Sequence, residues 1–295
     1  MKKNLILLFS TILFLTFLSE IFVRIFFPQD LQRYWVFYEP THGLSINKKN
    51  YVHKLHRFKS NKTTYTFGQH HNRETLKNFI EQNKKVLILG DSFTFGWLIN
   101  DQNTFIHKFQ KENLDYNFIN VAVGAWGSSH YTLFTELFCK NIMPQEIVVF
   151  LNSDDFYRGY NAGFYKIIEG KLIKTNKKVT DIQGDSKLDK MVPFYKFFKS
   201  NSHLFMLARN TAYNLINKPV YNEWSPDRYW PRPSGEFDYN YSSKVFNFNK
   251  KVFLRLKKIS TECNASLNIL NLMWSDHRIM EDTNPNKLFL KNAKD

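Results

Sequence analysis

Hydrophobic positions fall into one long N-terminal run and a later series of short runs separated by amphipathic stretches. Residues 5–19 carry no charge, and the apolar pattern continues past Glu20 and Arg24 at helical spacing. After residue 84, short aliphatic runs typical of buried parallel strands alternate with segments of helical periodicity. Such alternation predicts an α/β fold, with a parallel sheet and right-handed crossovers.

The expected elements have short lengths and clear boundaries. Strands are predicted at Val86–Leu89, Tyr116–Val121, Ile147–Leu151 and Leu267–Met273. Helices are predicted at Thr104–Glu112, Tyr131–Lys140, His203–Asn217 and Lys244–Glu262. The chain therefore divides into an anchor at 1–27, a connector at 28–84 and a domain at 85–295 with an insertion at about 155–243.

The N-terminal run predicts a membrane helix. Its length is compatible with an uncleaved anchor or with a signal-peptide core. No Ala-x-Ala-like cleavage site follows it, which favours the anchor. Lys2 and Lys3 place the amino end in the cytoplasm, so we expect a single-pass protein with its globular part on the extracytoplasmic side.

Composition narrows the classes of partner. The 295 residues carry a formal net charge of +15, but the lysines are spread along the chain. No long basic run appears, so nucleic acid is not an expected partner. General Lys usage explains this charge best, and attraction to anionic lipid or glycan is the alternative.

Cysteine and histidine give no indication of a metal or cofactor. Cys139 and Cys263 lie far apart, and we expect two free, buried thiols. The connector carries the histidines His53, His56, His70 and His71. No acidic residue or third ligand stands at a recognisable spacing from them, so we expect ordinary loop histidines.

The sharpest motif follows the first predicted strand. The run Val86–Leu89 leads into Gly90-Asp91-Ser92, with Thr94 and Gly96 just beyond. A serine at the carboxyl end of a parallel strand lies where open α/β sheets bind their ligands. The simpler alternative is a solvated turn in which Ser92 caps a helix.

The pattern Gly-Asp-Ser-x-Thr-x-Gly resembles the first sequence block of the SGNH (GDSL) hydrolases. The resemblance implies a three-layer α/β/α fold with flavodoxin-like strand order. It also implies that Ser92 is the nucleophile and that its backbone N–H is the first oxyanion donor. No cofactor is implied.

The second block of that family looks like the stretch from Asn120 to Ser128, with Ala122 and Ala125 in place of glycines. The resemblance implies a backbone donor here, either Ala125 or its neighbour Gly124. An ordinary glycine-rich turn remains the alternative interpretation.

The third block, Gly-x-Asn-Asp, corresponds to Asn152–Asp155. The asparagine of the family falls on Asp154, and a carboxylate there would repel an oxyanion unless it were protonated. Asn152 is the alternative donor if the loop is shifted in register.

The fourth block, Asp-x-x-His, has no proper counterpart. Asp276 and His277 are adjacent, and they follow the last predicted strand too closely. The first hypothesis is a chain truncated before this block, and we favour it. The second is a relocated base, His277, oriented by Asp276.

Together with the predicted anchor, the resemblance implies an ester hydrolase or acyl transferase that acts on acylated glycan or lipid outside the cytoplasmic membrane. The alternative is a catalytically inactive anchored protein that binds glycan through aromatic side chains. The candidates for that stacking role, which are otherwise core residues, are Trp224, Tyr229, Trp230 and Tyr239.

Overall fold

A computed structural model describes residues 2–29, 31, 35–57, 61–75, 80–176, 191–216 and 239–272. The chain forms two compact units. The first comprises residues 1–34, 54–63 and 184–232, and the second comprises residues 35–53, 64–183 and 233–295. Each unit is described by itself.

The elements follow one another along the chain. The described strands are β1 (Val36–Tyr38), β2 (Ser45–Asn47), β3 (Tyr51–Arg57), β4 (Asn61–Phe67), β5 (Lys84–Leu89), β6 (Tyr116–Asn120), β7 (Glu146–Leu151), β8 (Tyr165–Ile168), β9 (Lys171–Lys174) and β10 (Ser266–Asn271). The described helices are α1 (Lys2–Phe26), α2 (Ser92–Phe95), α3 (Phe105–Glu112), α4 (Ser128–Ile142), α5 (Asp154–Asn161), α6 (Tyr195–Asn201), α7 (His203–Ile216) and α8 (Tyr239–Glu262).

The main sheet has four parallel strands in the order β10-β7-β5-β6. Read from β6, this is 2-1-3-4 in chain order, the arrangement of flavodoxin-like doubly wound sheets. The predicted α/β class, the parallel sheet and the four strands are confirmed. The helices predicted from Tyr131 and Lys244 begin earlier, at Ser128 and Tyr239.

Alternate residues of the central strand face opposite sides of the sheet. Leu87 and Leu89 join a large apolar cluster with residues of α4 and α8. Val86 and Ile88 join a smaller cluster with Ile106 of α3. Apolar side chains therefore cover both faces of β5, which explains why its sequence is almost continuously apolar.

The segment predicted as a connector contributes to the second unit. Trp35 is 3% exposed, and its ring lies 4.6 Å from that of His53, 5.3 Å from that of Tyr65 and 6.4 Å from that of Phe95. Aromatic burial of this kind stabilises a core. Trp35 is therefore a core residue of this unit.

One of the histidines differs from the expectation of loop residues, and a second is a buried loop residue. His53 lies within β3 and is buried. His71 is also buried, and its Nδ1 hydrogen-bonds to the carbonyl of Asn47 at 2.6 Å. Burial lowers the pKa of His71, so this side chain favours its neutral form.

The prediction of two free thiols is wrong. A disulfide joins Cys139 of α4 to Cys263, which directly follows α8. The two residues are 124 positions apart in sequence, yet their Cα atoms are 6.3 Å apart. The reason is tertiary: α4 and α8 pack side by side in the cluster that covers one face of the sheet.

The first unit contains α1, α6 and α7. An 18-residue window of α1 has a mean hydropathy of 2.3, and the helix is long and apolar enough to cross a membrane. A signal sequence would meet the same criteria, so α1 is a candidate span.

Candidate active site

Ser92 is the first residue of α2, directly after the turn that ends the central strand β5. Asp91 is the N-cap of this helix, and its carboxylate accepts a hydrogen bond from the Phe93 N–H at 2.9 Å. Asp91 is fully buried, whereas Ser92 is only partly buried. The motif thus forms a sharp strand-to-helix turn with its serine at the carboxyl edge of the sheet.

Two glycines of the motif are required by close packing. A Cβ at Gly90 would lie 2.1 Å from the Thr94 hydroxyl oxygen. Gly96 ends α2 in the left-handed region at φ 76°, and a Cβ there would lie 2.9 Å from Nη1 of Arg73. Larger residues at either position would displace the helix that carries the serine.

Arg73 holds the C-terminal end of α2. Its Nη1 donates to the carbonyls of Phe95 at 2.6 Å and Gly96 at 2.7 Å, and its Nη2 donates to the carbonyl of Ile99. Its Nε donates to the Asp101 carboxylate at 2.8 Å. The guanidinium is buried, so these bonds satisfy carbonyls that the short helix leaves without partners.

Strand register brings three predicted residues to the same carboxyl edge of the sheet. Ile88 of β5 pairs with Asn120 of β6, so Ser92 and Gly124 each stand four residues beyond a paired position. Leu89 pairs with Val149 of β7, so Ser92 and Asn152 each stand three residues beyond a paired position.

Gly124 lies next to the serine. A Cβ built on Gly124 would lie 3.8 Å from the Cβ of Ser92. Ala125, the alternative donor, is exposed and has a left-handed backbone with φ 70°. This geometry favours Gly124 over Ala125 as the residue closest to Ser92.

Donors at this edge have no acceptor among the described residues. None of these residues accepts a hydrogen bond from the backbone N–H of Ser92 or Gly124. The Asn152 side chain is 1% exposed, and its Nδ2 has no partner within the described part of the chain. A buried amide N–H without a partner is costly, which favours a role in binding an acceptor.

An acidic cluster surrounds Arg158 of α5. Its Nη1 lies 3.0 Å from the Asp91 carboxylate and 3.4 Å from that of Asp155, and its Nη2 lies 3.2 Å from that of Asp154. Asp154, the residue at the family's asparagine position, is thus paired with a cation. Because the cation offsets its charge, Asp154 would repel a nearby oxyanion less than an unpaired carboxylate.

Asp155 is the most perturbed of these acids. Its Oδ2 accepts from the Tyr131 hydroxyl at 2.8 Å and from the Asn152 N–H at 2.7 Å. Burial, followed by repulsion from Asp91, raises the pKa of Asp155 to about 8. Burial also raises the pKa of Asp154 above its usual range. With a pKa of about 8, Asp155 is largely protonated at neutral pH.

The base is not among the residues brought together. Asp276 and His277 lie outside the described residues. Across the described ranges, no side chain hydrogen-bonds to the Ser92 hydroxyl, and no group of three or more His, Cys, Asp or Glu could hold a metal ion. The aromatic candidates Trp224, Tyr229 and Trp230 also lie outside, and nothing is described of the Tyr239 side chain.

Sequence reasoning missed the two arginines. Arg73 had no local signal, because its partners are 22 to 28 residues away in the chain. Arg158 had one: it stands four residues after Asp154, a spacing that favours a helical ion pair.

Comparisons with known proteins do not identify a family for this chain. No family model matches the chain, and no curated protein matches it. Among solved structures, the crystal structure of TesA matches with 13% identity and a TM-score of 0.26, covering 72% of this chain and 96% of that one. At that TM-score the likeness adds nothing to the argument from the site.

Proposed function

We propose that this protein is a serine ester hydrolase or acyl transferase with Ser92 as its nucleophile. The observation that carries the proposal is that Ser92, Gly124 and Asn152 follow the carboxyl ends of three neighbouring strands, with Gly124 beside Ser92. A nucleophile flanked by uncommitted N–H donors is the arrangement that acyl transfer needs.

The proposed chemistry has two halves. Ser92 Oγ bonds to the acyl carbon while a base takes its proton, and the carbonyl oxygen becomes an oxyanion. The backbone N–H groups of Ser92 and Gly124 and the Asn152 amide stabilise that oxyanion, and the alkoxide leaves with a proton. Water or an acceptor hydroxyl then releases the acyl group from Ser92.

Two features support an extracytoplasmic location. The disulfide between Cys139 and Cys263 is typical of proteins in an oxidising compartment. The carboxylate of Glu20 in α1 accepts from Ser202 and from the N–H groups of His203 and Leu204, contacts that cleavage of a signal sequence would remove. We therefore propose that α1 is an uncleaved anchor. We also propose that the substrate is an acylated glycan or lipid.

The test is hydrolysis of a short-chain nitrophenyl ester, with fluorophosphonate labelling as a second measurement. Ser92→Ala should abolish both. Asn152→Ala should lower kcat by about 10²–10³-fold, because one oxyanion donor is lost. Ser266→Ala, an exposed residue of β10, is the matched control and should resemble the wild type.

Equal labelling of Ser92→Ala and the wild type would refute the serine nucleophile. The same assay with His277→Ala separates the two hypotheses for the base. We expect weak hydrolysis that this change alters little. Collapse of a robust activity whose pH profile has a midpoint near an ordinary histidine pKa of about 6.5 would instead identify His277 as the base.

A further inference from the structure

The start of α7 is attached to the last turns of α1. Glu20 of α1 accepts from the Ser202 hydroxyl at 2.8 Å and from the N–H groups of His203 and Leu204 at 3.0 and 2.9 Å. The carboxylate thereby satisfies backbone donors that a helix N-terminus leaves free. Arg24, one turn further along α1, donates to the carbonyl of Asn201 at 2.9 Å.

The helix before this junction carries a surface that is unusually apolar. Phe194 is 75% exposed, Phe197 59% and Phe198 44%, and Met191 and Val192 are also exposed. We call these five residues the α6 surface. Clustered exposure of large apolar side chains marks a site of contact with a protein or a membrane.

The α6 surface continues onto the candidate span. A cleft of about 660 Å³ is lined by Leu13, Phe14 and Phe17 of α1 and by Phe197 and Phe198 of α6. Its polar end is formed by Glu20, Arg24, Asn201 and Ser202. The charged groups of the lining, Glu20 and Arg24, therefore lie at one end of the cleft. Ser10 and Thr16 also line it, but their hydroxyls donate to carbonyls within α1.

We propose that the α6 surface is embedded in the same bilayer as α1, with lipid acyl chains filling the cleft. The proposal rests on α1 being an anchor, as proposed above. Lipid is favoured over a second copy of the chain because the cleft is continuous with α1, whose apolar face would already contact acyl chains. Lys199 on α6 suits anionic headgroups at the boundary.

The test places an environment-sensitive NBD label on single introduced cysteines in the full chain. Both native cysteines are in the disulfide, so only the introduced thiol reacts with the label. The variants are Phe197→Cys on the α6 surface, Phe14→Cys within α1, and Leu254→Cys on an exposed position of α8. Each is reconstituted in vesicles of phosphatidylcholine and phosphatidylglycerol.

We expect the label at position 197 to be quenched by doxyl lipid about as strongly as at 14, and to be shielded from aqueous iodide. The label at 254 should show the reverse. Lys199→Glu should reduce the lipid quenching at 197 in these anionic vesicles. Iodide access at 197 with lipid quenching at 14 would overturn this inference and leave the anchor intact.

Two other outcomes also count against the proposal. Iodide access at both 14 and 197 would overturn the anchor and this inference together, while the Ser92 assay would still test the esterase separately. Shielding at 197 from both quenchers that disappears on dilution would identify a second copy of the chain as the occupant.

Discussion

The two ends of the short helix α2 are held by arginines in contrasting surroundings. Arg73 reaches the C-terminal end from the segment before the sheet, and its side chain is 2% exposed. Arg158 reaches Asp91, the N-cap, from the helix after β7, and its side chain is 30% exposed. We call residues 90–96 the serine turn. Its C-terminal end is fixed inside the core by Arg73, and its N-terminal end is fixed by Arg158, a cation beside the proposed oxyanion donors.

The contrast separates stability from the proposed catalysis. Arg73 bonds mainly to backbone carbonyls and stacks on Tyr65, with its guanidinium carbon 4.5 Å from the ring centroid. Arg158 bonds to three carboxylates, one of which caps the helix of Ser92. The first arginine therefore chiefly supports the fold, and the second chiefly tunes the electrostatics of the site.

Removal of Arg73 should have the largest effect on stability. Arg73→Met should lower the free energy of unfolding by about 3–5 kcal/mol, because Asp101 and several carbonyls lose a buried partner. Arg255→Met is the matched control, since Arg255 pairs with Glu136 nearer the surface and such pairs contribute about 0–1 kcal/mol. Urea unfolding followed by tryptophan fluorescence measures both, and equal losses would contradict the contrast.

Removal of Arg158 should affect activity more than stability. Arg158→Met should lower the free energy of unfolding by about 1–3 kcal/mol, because the buried Asp91 loses its cation but keeps its bond from the Phe93 N–H. It should lower kcat/KM for the nitrophenyl ester by about 10- to 100-fold, because a small shift of the Ser92 turn misplaces the nucleophile. Unchanged kcat/KM with a stability loss as large as that of Arg73→Met would reverse the two assignments.

The serine turn and the two arginines differ in how far sequence predicts them. The turn is local: the apolar strand, Gly90 and Gly96 lie within a few residues of Ser92. The parallel sheet also follows from the alternation of strands and helices, whereas the strand order was implied only by the family resemblance. Arg73 and the disulfide partners are joined only by tertiary packing, which leaves no periodic signal in one sequence. The choice between Gly124 and Ala125 depended on strand register, which spacing alone did not fix.

The raised pKa of Asp155, a partner of Arg158, predicts how stability depends on pH. Its pKa of about 8 lies above the ordinary aspartate value, so between about pH 4 and pH 8 the folded protein holds a proton that the unfolded chain releases. This residue's contribution to stability is therefore lost as pH rises through that window. The free energy of unfolding of the wild type, relative to Asp155→Asn, should fall from about pH 5 to about pH 8. A difference that is constant with pH would contradict the raised pKa.

The smallest expected effect concerns Ala125, beside the proposed donor Gly124. A non-glycine residue at φ 70° carries a strain of about 1–2 kcal/mol. Ala125→Gly should therefore raise the free energy of unfolding, by about 1 kcal/mol or less once the added freedom of the unfolded chain is counted. Ala122→Gly, at a buried position outside the left-handed region, should lower it. A loss of stability in both variants would show that residue 125 is not strained.

The disulfide between Cys139 and Cys263 closes a covalent ring that contains the whole of the insertion predicted at about 155–243. A single proteolytic cut anywhere between these two residues leaves both fragments attached to each other. On a non-reducing gel the nicked chain would migrate with the intact one, and only a reductant would reveal the break. Purity judged without reductant would therefore overstate how much of a preparation is uncut.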